Sequence, residues 1–316
     1  PKKPIHMDVS FSSDGALLAS GGTDTEVQVW NEDGLIKWTL QGHRGWIMCV
    51  VFHPLAGSSL ATGCIDGTAR VWNILDGTSR QLTPNDGPVW TVAFSPDGHW
   101  LATGSGGGKI CRWDLREPKD TPVMCFPSDH GSVWSVRFSP DGRWIAAGCQ
   151  DGSIQVRDIM GKSVMQLRGV HDGQVLSLSF SPDGQFLASG SSEGRICVWD
   201  LSKQVKKWVD RFDAPIWGVV FNPTGDLLAC GSVNRSVCLW NLAGEKVREY
   251  SAEGPIRGLA FSRSGEWLAG ACSDGTVRLW PIGTADFTSL LARAKSEWKK
   301  ISPFVWPQTS STTACT

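Results

Sequence analysis

The segment 89-VWTVAFSPDGHWLATGSGGGKICRW-113 decides the fold of the whole chain. Its first part alternates up to Phe94 and then breaks at Ser-Pro-Asp-Gly, where Pro96 presets the turn and Gly98 supplies a positive φ. That is one strand and its hairpin. The Leu-Ala-Thr-Gly run that follows reads as a buried second strand, and the stretch ending at Trp113 as a third.

Working outward from this unit, both of its markers recur. A short segment ends at Trp30, Trp72, Trp113, Trp199, Trp240 and Trp280, with Arg157 in the same slot, at spacings of 42, 41, 44, 42, 41 and 40 residues. The turn marker keeps phase with it at Phe11, Phe52, Phe94, Phe138, Phe180, Phe221 and Phe261. Units one to six each add a more polar fourth strand, such as LIKWTLQ after Trp30. Seven units of roughly 40 residues with Gly-rich turns select a propeller over a sandwich or an ordinary barrel.

Composition narrows the function classes. The 316 residues carry 30 Lys plus Arg against 31 Asp plus Glu, a net charge of −1, so no global field draws nucleic acid or an anionic membrane. A nucleic-acid partner is therefore not expected. No apolar run approaches the roughly 18 residues of a membrane span and no signal peptide precedes the first strand, which points to a soluble, cytoplasmic protein. The ten cysteines form no paired CxxC and sit singly in apolar runs, as at Cys64 and Cys197. Buried free thiols are expected, with neither disulfide nor zinc.

The FSPDG, LASG and VWD patterns, repeated in phase over residues 5–280, resemble WD40 repeats. The resemblance implies an all-β, seven-bladed WD40 β-propeller around a channel, with each innermost strand ending at Phe. Its bounds are set at 1–283. A short C-terminal amphipathic helix is expected at 284–302, where Phe287, Leu290, Leu291, Ala294, Trp298 and Ile301 form one stripe and Lys295, Lys299 and Lys300 face away. Ser302-Pro303 stops it, and 303–316 reads as a disordered tail.

The seventh unit has no evident fourth strand before that helix. WD40 rings often draw this strand from residues upstream of the first repeat, so the expectation is a longer parent chain, with the tail after Trp280 as the alternative donor. Regular repeats followed by a Leu-Leu, Trp-containing tail also look like the C-terminal propellers of bacterial STAND signalling ATPases. That likeness implies a sensor domain whose partner is an N-terminal ATPase or effector domain in the same parent chain.

Several motifs look like chemistry. His43, Thr62 and Asp66 have the makings of a nucleophile triad. In WD40 proteins the matching positions, together with Trp72, form a buried hydrogen-bond tetrad that ties one blade together, and this is the reading adopted. Only the second unit holds all four residues: Gly107 stands at the Asp slot of the third, Ala147 and Arg157 break the fourth, and Glu193 replaces Asp in the fifth. Gly161-Lys162-Ser163 matches the end of a phosphate loop, but Val156 occupies the position of its first glycine, so a hairpin turn is expected. Asn234-Arg235-Ser236 fits a glycosylation acceptor without any sign of secretion. Trp113-Asp114-Leu115-Arg116 matches a box that some WD40 adaptors use to dock on a ubiquitin-ligase core.

The slot four residues before each Phe falls, in such a fold, near the top entrance of the channel. It holds Met7, Met48, Trp90, Trp134, Leu176, Trp217 and Arg257, with Trp46 two residues before Met48. Trp46, Met48, Trp90, Trp134, Trp217 and Arg257 have the composition of a contact hot spot, although packing between blades would use the same residues. The resulting reading is a non-catalytic protein–protein interaction platform, scaffold or sensor, that binds a protein or peptide on its top rim with no cofactor and no metal. The competing readings are a propeller hydrolase with a channel active site, which needs several converging Asp, Glu or His, and a substrate adaptor for a ubiquitin ligase.

Overall fold

The computed structural model describes residues 4–84 and 86–282. They form twenty-seven strands and no helix, in six four-stranded sheets and one three-stranded sheet. Every sheet is antiparallel with its strands in sequence order, which is the expected seven-bladed propeller. The innermost strands are His6–Phe11, Ile47–Phe52, Val89–Phe94, Val133–Phe138, Val175–Phe180, Ile216–Phe221 and Ile256–Phe261, each ending on its marker Phe. The marker Trp, or Arg157 in blade four, stands one residue before the end of each third strand, as in Val27–Asn31 and Ala69–Asn73. Blade one packs its innermost strand against those of both blade two and blade seven, so the ring is closed.

Local chemistry builds each blade. In the first hairpin of blade three, Gly98 takes φ +73° and the Ser95 hydroxyl accepts the Trp100 N–H at 2.9 Å. The Ser139 and Ser181 turns repeat this geometry. A small hydroxyl at the first turn position and a glycine at the fourth thereby fix the hairpin without help from other blades.

The core lies between blades rather than within them. Seven clusters of buried side chains each draw on two neighbouring blades; one joins Ala19, Val27, Val29 and Leu40 of blade one to Ile47, Val50, Leu60 and Trp72 of blade two. The glycine that ends the LASG-like run in blades one to six permits this contact. A Cβ on Gly21 would lie 2.5 Å from the Ile47 side chain, and one on Gly190 would lie 2.6 Å from Ile216.

The structure corrects the cysteine expectation at one place. Cys111 on the third strand of blade three stands opposite Cys125 on the outer strand, and the two are joined in a disulfide. Reading cysteines singly missed it, because two strand residues become neighbours only once the register is set. The other seven described cysteines are free and buried. Blade seven has three strands among the described residues. The expected helix at 284–302, the tail at 303–316 and both candidate donors of a fourth strand lie outside the described residues.

Candidate functional site

The tetrad of blade two is intact. The Trp72 indole N–H donates to Thr62 Oγ1 at 2.9 Å, the Thr62 hydroxyl meets His43 Nε2 at 2.7 Å, and His43 Nδ1 meets Asp66 Oδ2 at 3.1 Å. Every donor finds an acceptor when His43 is neutral with its proton on Nδ1. Burial lowers the pKa of His43 and so favours that form. For Asp66 burial acts to raise the pKa, but the Arg44 N–H, Thr68 and His43 outweigh it and hold the carboxyl well below its usual range. Thr62 is fully buried, so no substrate can reach its hydroxyl. His43, Cys64 and Asp66 also lie close enough to share a metal ion. Their donor atoms are already committed: both His43 nitrogens are bonded, the Cys64 sulfur accepts the Asp66 N–H, and burial pushes that thiol up to about 12.

Other blades satisfy these positions differently. In blade three the Asp86 carboxylate, from the loop before the innermost strand, accepts the Ser105 hydroxyl at 2.8 Å and the Lys109 N–H at 3.0 Å. Sequence comparison of the blades missed Asp86, since it substitutes for the Asp slot from another loop. In blade five His171 reaches Ser189 at 2.7 Å, but its Nδ1 stands 3.7 Å from Glu193 and has no hydrogen-bond partner among the described residues. Elsewhere Gly161 takes φ +82° in the expected hairpin turn, and Arg116 grips Asp114 at 2.6 Å within the adaptor-like box.

Around the ring of innermost strands the chain brings together residues some forty positions apart. Met7, Met48, Trp90, Trp134, Leu176, Trp217 and Arg257 all line one cavity of about 70 Å³. The Trp90 and Trp134 rings stack at 4.8 Å and 14°, Trp217 meets Trp134 edge-on at 6.5 Å, and the Arg257 guanidinium lies 4.9 Å over Trp217. Arg257 Nε donates to Ser273 Oγ at 2.9 Å. Trp46 does not line the cavity and stands 50 % exposed. These aromatic residues are thus part packed and part exposed.

One position further along each strand, a ring of side chains ties blade to blade. Asp8 accepts the Val50 N–H at 3.0 Å, Cys49 that of Val92 at 3.5 Å, Thr91 that of Val136 at 3.2 Å, Ser135 that of Leu178 at 3.2 Å and Ser177 that of Val219 at 3.0 Å. Gly218 and Gly258 interrupt it. Reading the slot three residues before each Phe shows the run of acceptors in the sequence. Their purpose is visible only when adjacent blades meet. Two residues beyond Ser135, Arg137 also reaches the cavity. Asp8 is the sole acidic residue lining that cavity, and burial pushes its carboxyl above the usual range against the opposing Val50 N–H and Arg137.

The family model described as WD domain, G-beta repeat matches residues 2–31, 34–73, 78–114, 120–158 and 161–200, more than half of the chain. The chain belongs to the WD40-repeat family. A second model, the anaphase-promoting complex subunit 4 WD40 domain, matches 219–308 of this WD40 chain. Among relatives, it is 35 % identical over 211 residues to small ribosomal subunit protein RACK1y of Oryza sativa subsp. japonica, covering 51 % of this chain and 62 % of that protein. It is 29 % identical over 112 residues to activating molecule in BECN1-regulated autophagy protein 1A of Danio rerio, covering 35 % of this chain and 8 % of that one. With protein tipD of Dictyostelium discoideum the identity is 40 % over 123 residues, covering 38 % and 20 %. The WD40 chain therefore spans less than two thirds of each of these relatives. All three are eukaryotic, and the resemblance to bacterial STAND propellers finds no support among them. No helix among the described residues is long and apolar enough to cross a membrane.

Proposed function

We propose that this WD40 propeller is a non-catalytic platform that binds a protein or peptide through Trp46, Met48, Trp90, Trp134, Trp217 and Arg257 on its top rim. The observation that carries this reading is the convergence of one side chain from each of seven blades on a single cavity, with the exposed Trp46 close by in sequence. Large aromatic and Arg side chains dominate contact energies because they bury much area at modest entropic cost. Relatives named for the small ribosomal subunit and a family model named for a subunit of the anaphase-promoting complex are in keeping with a part that works inside assemblies. The hydrolase reading is weaker, since converging carboxylates or histidines are needed and Asp8 stands alone among the cavity residues. No observation favours the ligase-adaptor or ATPase-coupled sensor readings, and Arg116 has its fork engaged by Asp114.

A displayed library of random twelve-residue peptides, selected on the purified protein, tests the platform. Selected peptides should lose binding to Trp46→Ala and Arg257→Ala while both variants melt close to the parent. Binding retained by both variants would move the interaction face away from the rim.

A further inference from the structure

The cavity lined by the innermost strands carries an unbalanced charge. Arg257 and Arg137 both line it, and neither makes an ion pair among the described residues. Arg257 is held in place on two sides, by the Trp217 ring at 4.9 Å and by Ser273 at its Nε, which leaves both terminal nitrogens of the guanidinium without a protein partner among the described residues. Arg137 uses Nη1 on the Val136 carbonyl at 2.8 Å and leaves Nε and Nη2 similarly free. Against these two positive groups the cavity sets one carboxyl, that of Asp8, already engaged with the Val50 N–H.

We propose that this cavity takes the side-chain carboxylate of an acidic residue in a bound peptide, gripped by Arg257 and backed by Arg137. This inference rests on the platform reading and names the chemistry of its partner. Two guanidiniums against a single carboxyl leave the cavity net positive, which an anionic side chain complements. A planar, pre-oriented guanidinium fork is also the donor that recognises carboxylate best. Size agrees: a cavity of about 70 Å³ has room for a side-chain tip. The indoles of Trp90, Trp134 and Trp217 would pack against the aliphatic part of the inserted chain and shield the ion pair from water, where it is stronger. A phosphorylated residue brings nearly two negative charges beside Asp8 and fits less well.

The same twelve-residue library supplies the test. Peptides selected on the parent protein should share an Asp or Glu, and synthetic versions with Asn or Gln there should bind roughly ten- to a hundred-fold more weakly by tryptophan fluorescence. Arg257→Gln should cost a similar factor and make the two peptide forms equal, while Arg257→Lys restores part of the loss. A shared Lys or Arg, a preference for phosphoserine over Glu, or a Glu-to-Gln change that alters nothing would overturn the proposal. If the peptides still lose binding to Trp46→Ala in those cases, the platform reading survives alone. If no peptide is enriched, both fall.

Discussion

Asp86 occupies the space that a side chain at Gly107 would need: a Cβ built on Gly107 falls 2.4 Å from Asp86 Oδ1. The carboxylate that blade two places on its inter-strand turn at Asp66 arrives in blade three from the preceding loop, and the glycine makes room for it. Gly107→Ala should therefore expel Asp86 and strip the Ser105 hydroxyl and Lys109 N–H of their acceptor. Asp86→Ala should destabilise by about 1–3 kcal/mol, and adding Gly107→Ala to it should cost little more. Additive losses in a denaturant-melting cycle would show that the two residues are not coupled.

The two histidine-bearing blades should differ. His43→Ala removes a ring whose two nitrogens are both bonded, leaving Thr62 and Asp66 short of partners, for a loss of about 1–3 kcal/mol. His171→Ala removes a ring that already lacks one bond, so its loss should be smaller. Equal drops in Tm would refute the comparison.

Acid should weaken the ring before the carboxylates titrate. Burial lowers the pKa of His171 and of His6 from 6.5 to about 4. The folded state keeps both neutral while the unfolded chain takes up protons below pH 6.5, so their contribution is full above pH 6.5 and is lost as pH falls toward 4. Each accounts for up to about 3 kcal/mol across that window. Melting curves between pH 7.5 and 4.5 should show the decline, and His171→Gln should make it shallower. An unchanged slope in that variant would mean that His171 is not the group being protonated.

Rim residues should separate into packing and contact groups. Trp134 stacks on Trp90 and donates to Gln150 at 2.9 Å, so Trp134→Ala should lower stability by about 1–3 kcal/mol. Trp46 is half exposed, and Trp46→Ala should stay within about 0.5 kcal/mol of the parent. A reversed order in thermal melts would exchange their roles.

The Cys111–Cys125 bridge is open to a direct count. Alkylation of the denatured protein without reductant should leave two thiols fewer labelled by mass than alkylation after reduction, and Cys111→Ser should abolish the difference. Identical masses before and after reduction would show that the bridge does not form.

The propeller was legible because each blade's signals are local. A Ser-Pro-Asp-Gly hairpin closes through its own Ser95 and Gly98, and the phased Phe and Trp markers count the blades without any knowledge of neighbours. The convergence of the seven equivalent slots on one cavity followed from the same phase, since equivalent positions of a ring converge on its axis. Only the tertiary structure decided what those positions do together. Asp86 takes over a role from another loop, Cys111 meets Cys125 through strand register, and Arg137 reaches a cavity otherwise assigned to a different slot. Trp46 stays outside that cavity despite its composition. Each of these depends on distances between segments far apart in the chain, which the packing of one blade on the next fixes and no repeat pattern records.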